Sequence, residues 1–301
     1  MKNEGDYDEI IFKKNKILCL LLLIIFLWII VTCVMYKIDF SDLQKASASN
    51  IERCKEEASS EFCSQFSVPD MPDTFSIFFQ LIVDYPLRIF AYFIYPIFII
   101  ISVVSLVYNE VKTGYVRNIL TRMTYKNYIS KIYLNSLKSL IVLPFFLLVL
   151  FISSYILSGG NFIIPTEETA IVEQQYLNNF LQFSLIYIIN IFFLNWFVIN
   201  LAYIATLKSN HAISAIIGAY MGFWIIWIVL EAIIGFGIQK IFSIRYLTNS
   251  LSFASFWIYD HVISLPFMLI YALCLVALSG IVVYFVSRNK ERVVLNAEKT
   301  I

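Results

Sequence analysis

Glu231 is the ionisable residue whose place in the sequence most strongly suggests a function, because it lies inside a long apolar segment. Tyr220, Trp224 and Trp227 precede it at helical spacing, so a helix puts all four side chains on one face. A charged group near the middle of a membrane costs at least ~2.5 kcal/mol, so such residues usually face a cavity or a polar partner. We predict that this face lines a translocation path. The alternative is that Glu231 lies near the end of its span and extends to water, or is protonated and hydrogen-bonded.

The opposite face of the same segment carries small residues at four-residue spacing, namely Ser214, Gly218 and Gly222. In membrane helices this pattern lets a second helix approach closely, because no bulky side chain separates the two backbones. We therefore predict a helix-packing contact along this ridge.

Three asparagines, Asn190, Asn195 and Asn200, interrupt the preceding apolar segment. Their five-residue spacing spreads them around a helix instead of collecting them on one face. This favours separate hydrogen bonds between helices over a single polar site.

Cys54 and Cys63 are the two cysteines that lie outside the apolar segments. They share one water-exposed loop, where a disulfide is chemically permitted, and two free thiols are the alternative. No second cysteine pair or histidine pair accompanies them, so the spacing predicts no metal site.

The motifs of common enzymes are missing from the sequence. His211 and His261 are the only histidines, and they fall on opposite sides of the membrane, so they predict neither a histidine dyad nor a metal centre. There is no HExxH, no GxSxG and no phosphate-binding GxxxxGKS/T motif. Residues 157–161 read LSGGN, which is close to a nucleotide-sensing motif of ATPases but predicts a turn at the end of a span. We expect no enzymatic activity and no cofactor bound by this chain.

Composition identifies a membrane protein, since 60% of the 301 residues are hydrophobic and only 14% are charged. Six apolar segments are long enough to span a bilayer as helices. They cover residues 17–36, 89–108, 136–157, 181–207, 212–237 and 265–287. The sequence predicts an all-α polytopic protein with one membrane domain over residues 1–301. The loop of residues 37–88 is predicted to hold a short separate helix that ends before Pro69 and Pro72.

The distribution of basic residues predicts the orientation. With six spans, 15 of the 22 lysines and arginines fall on the side that contains both termini. Cytoplasmic loops retain Lys and Arg, so we predict that both termini are cytoplasmic and that the 37–88 loop is outside. The net charge of +1 argues against nucleic acid as a partner. The bilayer is the partner that composition implies.

The connection of residues 109–135 is basic and has the pattern of an amphipathic helix. It resembles the corresponding connection of ABC-2 type transporter permeases, including the small six-span permeases of bacteriocin or lantibiotic immunity and of peptide or drug export. The residues that match that family in order and approximate spacing are Glu110, Gly114, Asn118, Leu120, Thr121, Arg122, Tyr128 and Lys131.

The resemblance implies that this connection contains a coupling helix that docks on a separate ATPase subunit. Tyr115, Ile119 and Leu120 would form an apolar docking face. Arg117, Arg122 and Lys126 would meet acidic groups or anionic lipid. The alternative is a loop whose positive charge serves only to set the topology.

The resemblance also implies an exporter in the plasma membrane of a Gram-positive bacterium. The permease would pair with a second copy of itself or with another permease, and ATP and Mg²⁺ would bind to the partner ATPases. Its cargo would be hydrophobic or amphipathic, such as an antimicrobial peptide, a drug or a lipid. A membrane sensor or accessory protein without transport activity is the alternative, and a secondary transporter is a weaker one because no inverted repeats are evident.

Overall fold

A computed structural model describes the backbone of residues 5–57, 67–84, 86–112, 123–162, 180–257 and 262–288. Within these ranges every regular element is a helix, and six helices are long and apolar enough to cross a membrane. They are Lys16–Cys54, Leu87–Tyr108, Tyr125–Leu157, Gln182–Lys208, Ala212–Phe242 and Leu265–Arg288. The prediction of a multi-pass, all-α membrane protein is confirmed, and these helices are called the first to sixth spans below.

The first span belongs to a helix that is much longer than the predicted segment of residues 17–36. It runs without a break over Gly5–Glu57, which is 53 residues. Residues 37–57 contain neither Gly nor Pro and are rich in Ala, Lys, Glu and Gln, all of which favour helix. The separate outer helix that the sequence predicts is therefore a continuation of the first span, because nothing after residue 36 interrupts the backbone hydrogen bonds.

A second, shorter helix, Thr74–Asp84, lies between the first and second spans. The Asp73 carboxylate caps its start, since Oδ1 accepts hydrogen bonds from the main-chain N–H groups of Phe75 at 2.9 Å and Ser76 at 3.0 Å. The hydroxyl of Thr74 lies 2.8 Å from that of Ser158, at the predicted outer end of the third span. The 37–88 loop is thus partly embedded in the bundle, which its short apolar run did not reveal.

The LSGGN sequence forms the predicted turn. The third span ends at Leu157, and Gly159 and Gly160 adopt positive φ angles of 68° and 83°. Glycine reaches these angles without steric cost. The turn delivers the main-chain oxygen of Asn161, which accepts a hydrogen bond from Thr74 N at 3.0 Å.

Two spans change helix type just before a proline. Phe90–Ile94 is a π-helical turn that precedes Pro96, and Leu137–Ile141 is a 3-10 turn that precedes Pro144. Proline cannot donate a hydrogen bond to the fourth residue before it, and its ring crowds that carbonyl group. The change of helix type at each site therefore has a local cause in the sequence.

The fourth span, in helix Phe180–Lys208, forms the centre of the bundle. It packs most extensively against the sixth span and also contacts the second and fifth spans. Asn190, Asn195 and Asn200 are all buried in it. The fifth and sixth spans leave many of their apolar side chains exposed, as is expected for helices that face lipid.

Candidate functional site

The candidate site is built around a change of helix type in the fifth span. Ala212–Ile228 is α-helical, Val229–Gly235 is a π-helical turn, and Phe236–Phe242 is α-helical again. Glu231 lies within the π-helical turn, a feature that is frequent at functional sites. At its end, a Cβ atom on Gly235 would lie 3.1 Å from the Cα atom of Thr248. A larger residue there would have to push the two backbones apart by a few tenths of an ångström.

The predicted aromatic residues form a continuous stack that reaches the second span. The rings of Trp224 and Trp227 are 4.7 Å apart and nearly parallel, at 15°. Trp224 also stacks on Phe93 of the second span at 4.9 Å. The hydroxyl of Tyr220 donates a hydrogen bond to the main-chain oxygen of Phe93 at 3.2 Å. The face expected to line a path therefore joins the second and fifth spans in this conformation.

The carboxylate of Glu231 forms a hydrogen bond within the protein. It accepts a short hydrogen bond from the indole N–H of Trp227, whose nitrogen also lies 3.2 Å from the hydroxyl oxygen of Ser252. Glu231 is half-buried. The sequence left open whether Glu231 faces a path, extends to water or forms a hydrogen bond. In the structure its carboxylate contacts a polar partner within the chain.

The small-residue ridge occupies a different environment from the aromatic face. Ser214 and Gly218 are exposed, and a Cβ atom on Gly218 or Gly222 would meet nothing within 4 Å. The fifth span packs through Ala215 and Phe223 instead, both of which are buried. Among the described residues, no helix covers the ridge. The predicted packing contact therefore stays a prediction, and a second chain could supply it.

A cavity opens between the second, fourth and fifth spans and the segment 253–257. Its walls include Asn195 and six aromatic residues. These are Tyr92, Tyr95, Phe223, Trp227, Phe253 and Trp257. The space that a water-sized sphere can occupy is about 10 Å³. Trp227 thus donates a hydrogen bond to Glu231 and also lines this cavity.

The predicted coupling residues divide between described and undescribed parts of the chain. Eight lie outside the described residues: Gly114, Tyr115, Arg117, Asn118, Ile119, Leu120, Thr121 and Arg122. Glu110, Tyr128 and Lys131 flank them within the described part. Tyr128 is buried and Lys131 is exposed, so helix Tyr125–Ser136, which covers the end of the connection, has a buried and an exposed side.

Hydrogen bonds join the two ends of the connection. The hydroxyl of Tyr128 donates to the main-chain oxygen of Glu110 at 2.7 Å. The side-chain amide of Asn135 lies 3.3 Å from Oε1 of Glu110. Tyr108, near the end of the second span, donates to the main-chain oxygen of Asn210 at 2.7 Å. The second span is therefore fixed to the third span and to the turn before the fifth.

A polar network that sequence reasoning missed extends from here into the bundle. Tyr133 donates to Oδ1 of Asn200 at 2.8 Å and accepts from the indole N–H of Trp196 at 2.8 Å. Asn200 in turn donates to the hydroxyl of Ser279 at 2.8 Å. The third, fourth and sixth spans are thus connected by side chains. Asn200 was the one residue of this network that the sequence indicated, because the spacing of the asparagines predicted hydrogen bonds between helices.

The cysteines give no metal centre among the residues the structure describes. Cys54 is disulfide-bonded, and its predicted partner, Cys63, lies outside the described residues. Cys19, Cys33 and Cys274 are free thiols in the first and sixth spans.

No family model, curated protein or solved structure matches this chain. Its function is therefore proposed from its own residues and contacts, together with the resemblance that residues 109–135 bear to one class of permeases.

Proposed function

We propose that this chain is the membrane-spanning permease subunit of an ATP-driven exporter of the ABC-2 type. The observation that carries the proposal is the pair of hydrogen bonds from Tyr128 and Asn135 to Glu110. These bonds fix the two ends of the basic connection to each other at the predicted cytoplasmic face. A partner that pushes on residues 113–122 would therefore move the second and third spans together.

A series of contacts leads from this connection to the aromatic face of the fifth span. The helix of the second span continues to Lys112, so Glu110 lies just beyond one end of the span, and Phe93 lies towards the other end. Phe93 stacks on Trp224 and accepts a hydrogen bond from Tyr220. Displacement of the second span would have to break or shift these contacts. This gives a physical route by which a force at the connection opens a path beside Glu231.

The proposal requires partners that this chain does not contain. The ATPase subunits would bind ATP and Mg²⁺ and would dock on Arg117, Ile119, Leu120 and Arg122. A second copy of the chain, or another permease, would complete the path, and the exposed ridge at Gly218 offers a surface for it. Both termini would lie in the cytoplasm of a Gram-positive bacterium, and the protein would reside in its plasma membrane.

The proposed cargo is a hydrophobic or amphipathic molecule, such as an antimicrobial peptide, a drug or a lipid. Support comes from the stack of Phe93, Trp224 and Trp227, which offers a broad apolar surface beside one carboxylate. Aromatic side chains bury a large apolar area and keep a polar edge for hydrogen bonding.

Co-purification tests the proposal. The tagged chain, expressed in its native host, is expected to bring down an ATPase subunit that has no membrane span. The double variant Leu120→Asp with Arg122→Glu should lose this ATPase, because it places two carboxylates on the proposed docking face, yet should still insert into the membrane. Lys45→Glu is the matched charge-reversal control, since Lys45 is exposed in the part of the first helix that follows its apolar stretch, far from residues 113–122 in the predicted topology. An ATPase-free wild-type complex would favour a sensor or accessory protein, and unchanged assembly of the double variant would remove the coupling role.

A further inference from the structure

The exposed side of the third span combines basic side chains at one end with apolar side chains along its length. Lys131 and Lys138 are seven residues apart, so they lie on one side of the helix, two turns from each other. Both side chains are exposed. We propose that this side of the third span binds one anionic phospholipid, whose headgroup lies at the two lysines. The site does not depend on the proposed function, because it needs only this chain and a membrane.

Neither lysine has a counter-ion in the part of the chain that the structure describes. No ion pair or hydrogen bond joins either ammonium group to a described residue. Two neighbouring positive charges without an acidic partner favour the binding of an anion from outside the chain. The charge of the site therefore selects a negatively charged ligand.

The depth of Lys138 places it where lipid headgroups begin. The third span ends at Leu157, in the turn at its predicted outer end. From Lys138 to Leu157 the helix rises roughly 30 Å, which matches the thickness of the hydrocarbon core of a bilayer. Side chains on a helix lean towards its N-terminus, so the Lys138 ammonium group extends towards Lys131 and the predicted cytoplasmic headgroups.

The apolar part of the site continues along the same helix. Leu134, Ile141 and Leu148 recur every seven residues and are 63%, 55% and 58% exposed, and Ile152 is 48% exposed. From Ile141 to Ile152 the helix rises about 16 Å, which is close to half the thickness of the hydrocarbon core. An acyl chain of one leaflet can therefore lie along these side chains while its headgroup stays at the lysines.

The combination of depth and charge decides between a lipid and a protein partner. A soluble acidic protein can reach Lys131 from the cytoplasm, but Lys138 lies at the edge of the bilayer and Leu148 lies within it. A phospholipid contacts all three. A zwitterionic headgroup carries its own positive charge, so the two lysines favour a headgroup with net negative charge.

Lipid titration of the purified full-length chain, without any ATPase, tests the site. Native mass spectrometry measures the affinity for phosphatidylglycerol, with phosphatidylcholine as the neutral comparison. Lys138→Gln should weaken phosphatidylglycerol binding about fivefold, and the double variant with Lys131→Gln should weaken it about 25-fold. Lys138→Arg keeps the charge and should bind within about twofold of the wild type. Lys208→Gln is the matched control, because Lys208 is exposed at the end of the fourth span on the same predicted side, and its loss should leave the affinity unchanged.

A second measurement separates a lipid from a free phosphate. Phosphatidylglycerol should raise the thermal unfolding midpoint of the wild type in neutral detergent but not that of the double variant. Soluble glycerol phosphate, which has the anionic group without acyl chains, should leave both midpoints unchanged. An equal rise with glycerol phosphate would show an anion site that does not recognise lipid, and would overturn the proposal.

Three further outcomes would also overturn the site. Unchanged phosphatidylglycerol affinity in the double variant would exclude the two lysines. An equal loss in Lys208→Gln would show diffuse attraction of anionic lipid in place of a site. Loss of a co-purifying ATPase from the double variant, with its lipid affinity intact, would assign the lysines to a protein partner. Because the titration contains no ATPase, its result is distinct from the co-purification that tests the proposed function.

Discussion

The Tyr128 hydroxyl lies 2.7 Å from the main-chain oxygen of Glu110, to which it donates a hydrogen bond across the gap between the second and third spans. The two residues are 18 positions apart in the chain, with the basic connection between them. Tyr128 is almost fully buried, so this bond is protected from competing water. The ends of the two spans are therefore held as one unit, whatever binds the residues between them.

Removal of this bond should loosen the base of the connection. In Tyr128→Phe the partly buried Glu110 carbonyl loses this donor, and we expect a loss of about 1 kcal/mol of stability. If the connection transmits force, coupling between ATP hydrolysis and export should weaken as well. Thermal unfolding measures the first effect, and the number of ATP molecules hydrolysed per exported molecule measures the second. Tyr155→Phe is the control, since Tyr155 is 45% exposed at the far end of the third span, and equal effects in both variants would contradict this role for Tyr128.

Glu231→Gln removes the negative charge of this residue but should keep its hydrogen bond to Trp227. The amide oxygen of Gln can still accept the Trp227 indole hydrogen, so stability should change by less than about 0.5 kcal/mol. Export should fall, because the negative charge beside the aromatic stack is lost. Survival of cells challenged with a membrane-active peptide, compared with expression level and melting temperature, measures both effects. Full protection by Glu231→Gln would mean that the carboxylate charge has no part in transport.

Trp224 should be important for both packing and function, because it lies between Phe93 and Trp227 in the stack. Trp224→Ala would open a large gap between the second and fifth spans, and we expect a loss of about 3 kcal/mol or more. Trp224→Phe keeps a ring in the stack and should lose much less. Equal melting temperatures for the two variants would show that the stack does not hold these spans together.

Two glycines of the fifth span should respond oppositely to the same substitution. At Gly235 an added Cβ would meet the Thr248 backbone at 3.1 Å and the Leu230 main-chain oxygen at 3.2 Å, so Gly235→Ala should destabilise the protein by about 1–3 kcal/mol. At Gly218 nothing lies within 4 Å, so Gly218→Ala should be neutral or stabilise the helix by up to about 1 kcal/mol. Thermal unfolding of the monomeric chain in detergent compares them directly. A stabilised Gly235→Ala variant would show that the two backbones are not in contact.

Asn200 should contribute to stability through both of its partners. Asn200→Leu removes the acceptor of Tyr133 and the donor to Ser279, and we expect a loss of about 1 kcal/mol for each bond. Ser279→Ala removes only one of these bonds, so it should cost roughly half as much. Unfolding measurements that gave the same loss for both variants would argue against the contribution of Tyr133.

The six spans could be predicted because about 20 consecutive apolar residues leave a membrane helix as the only favourable structure. The helix Thr74–Asp84 escaped prediction because its 11 residues are too few to span a bilayer. Its burial depends on Thr74 meeting Ser158, a contact between residues 84 positions apart that no local pattern encodes. The continuity of the first helix was within reach of the sequence, since no Gly or Pro follows residue 36 until Pro69.

The candidate site shows the same division between local pattern and tertiary contact. Helical spacing correctly placed Trp227 and Glu231 together, because residues four apart meet on any helix. The sequence did not indicate that Phe93 would complete the stack, since that requires the second and fifth spans to be neighbours. The Tyr133 network depends likewise on which faces of three helices meet.

The unbroken first helix has a mechanical consequence for the side of the membrane that is predicted to be outside. At a rise of about 1.5 Å per residue, the part after Tyr36 extends roughly 30 Å beyond the apolar stretch. Because a continuous helix tilts as one body, a tilt of about 10° within the bilayer would carry its tip through about 5 Å. Any motion of the bundle that tilts the first span is therefore amplified near Arg53. If the chain acts as the proposed exporter, a spectroscopic probe attached there would report the transport cycle from the side predicted to be outside.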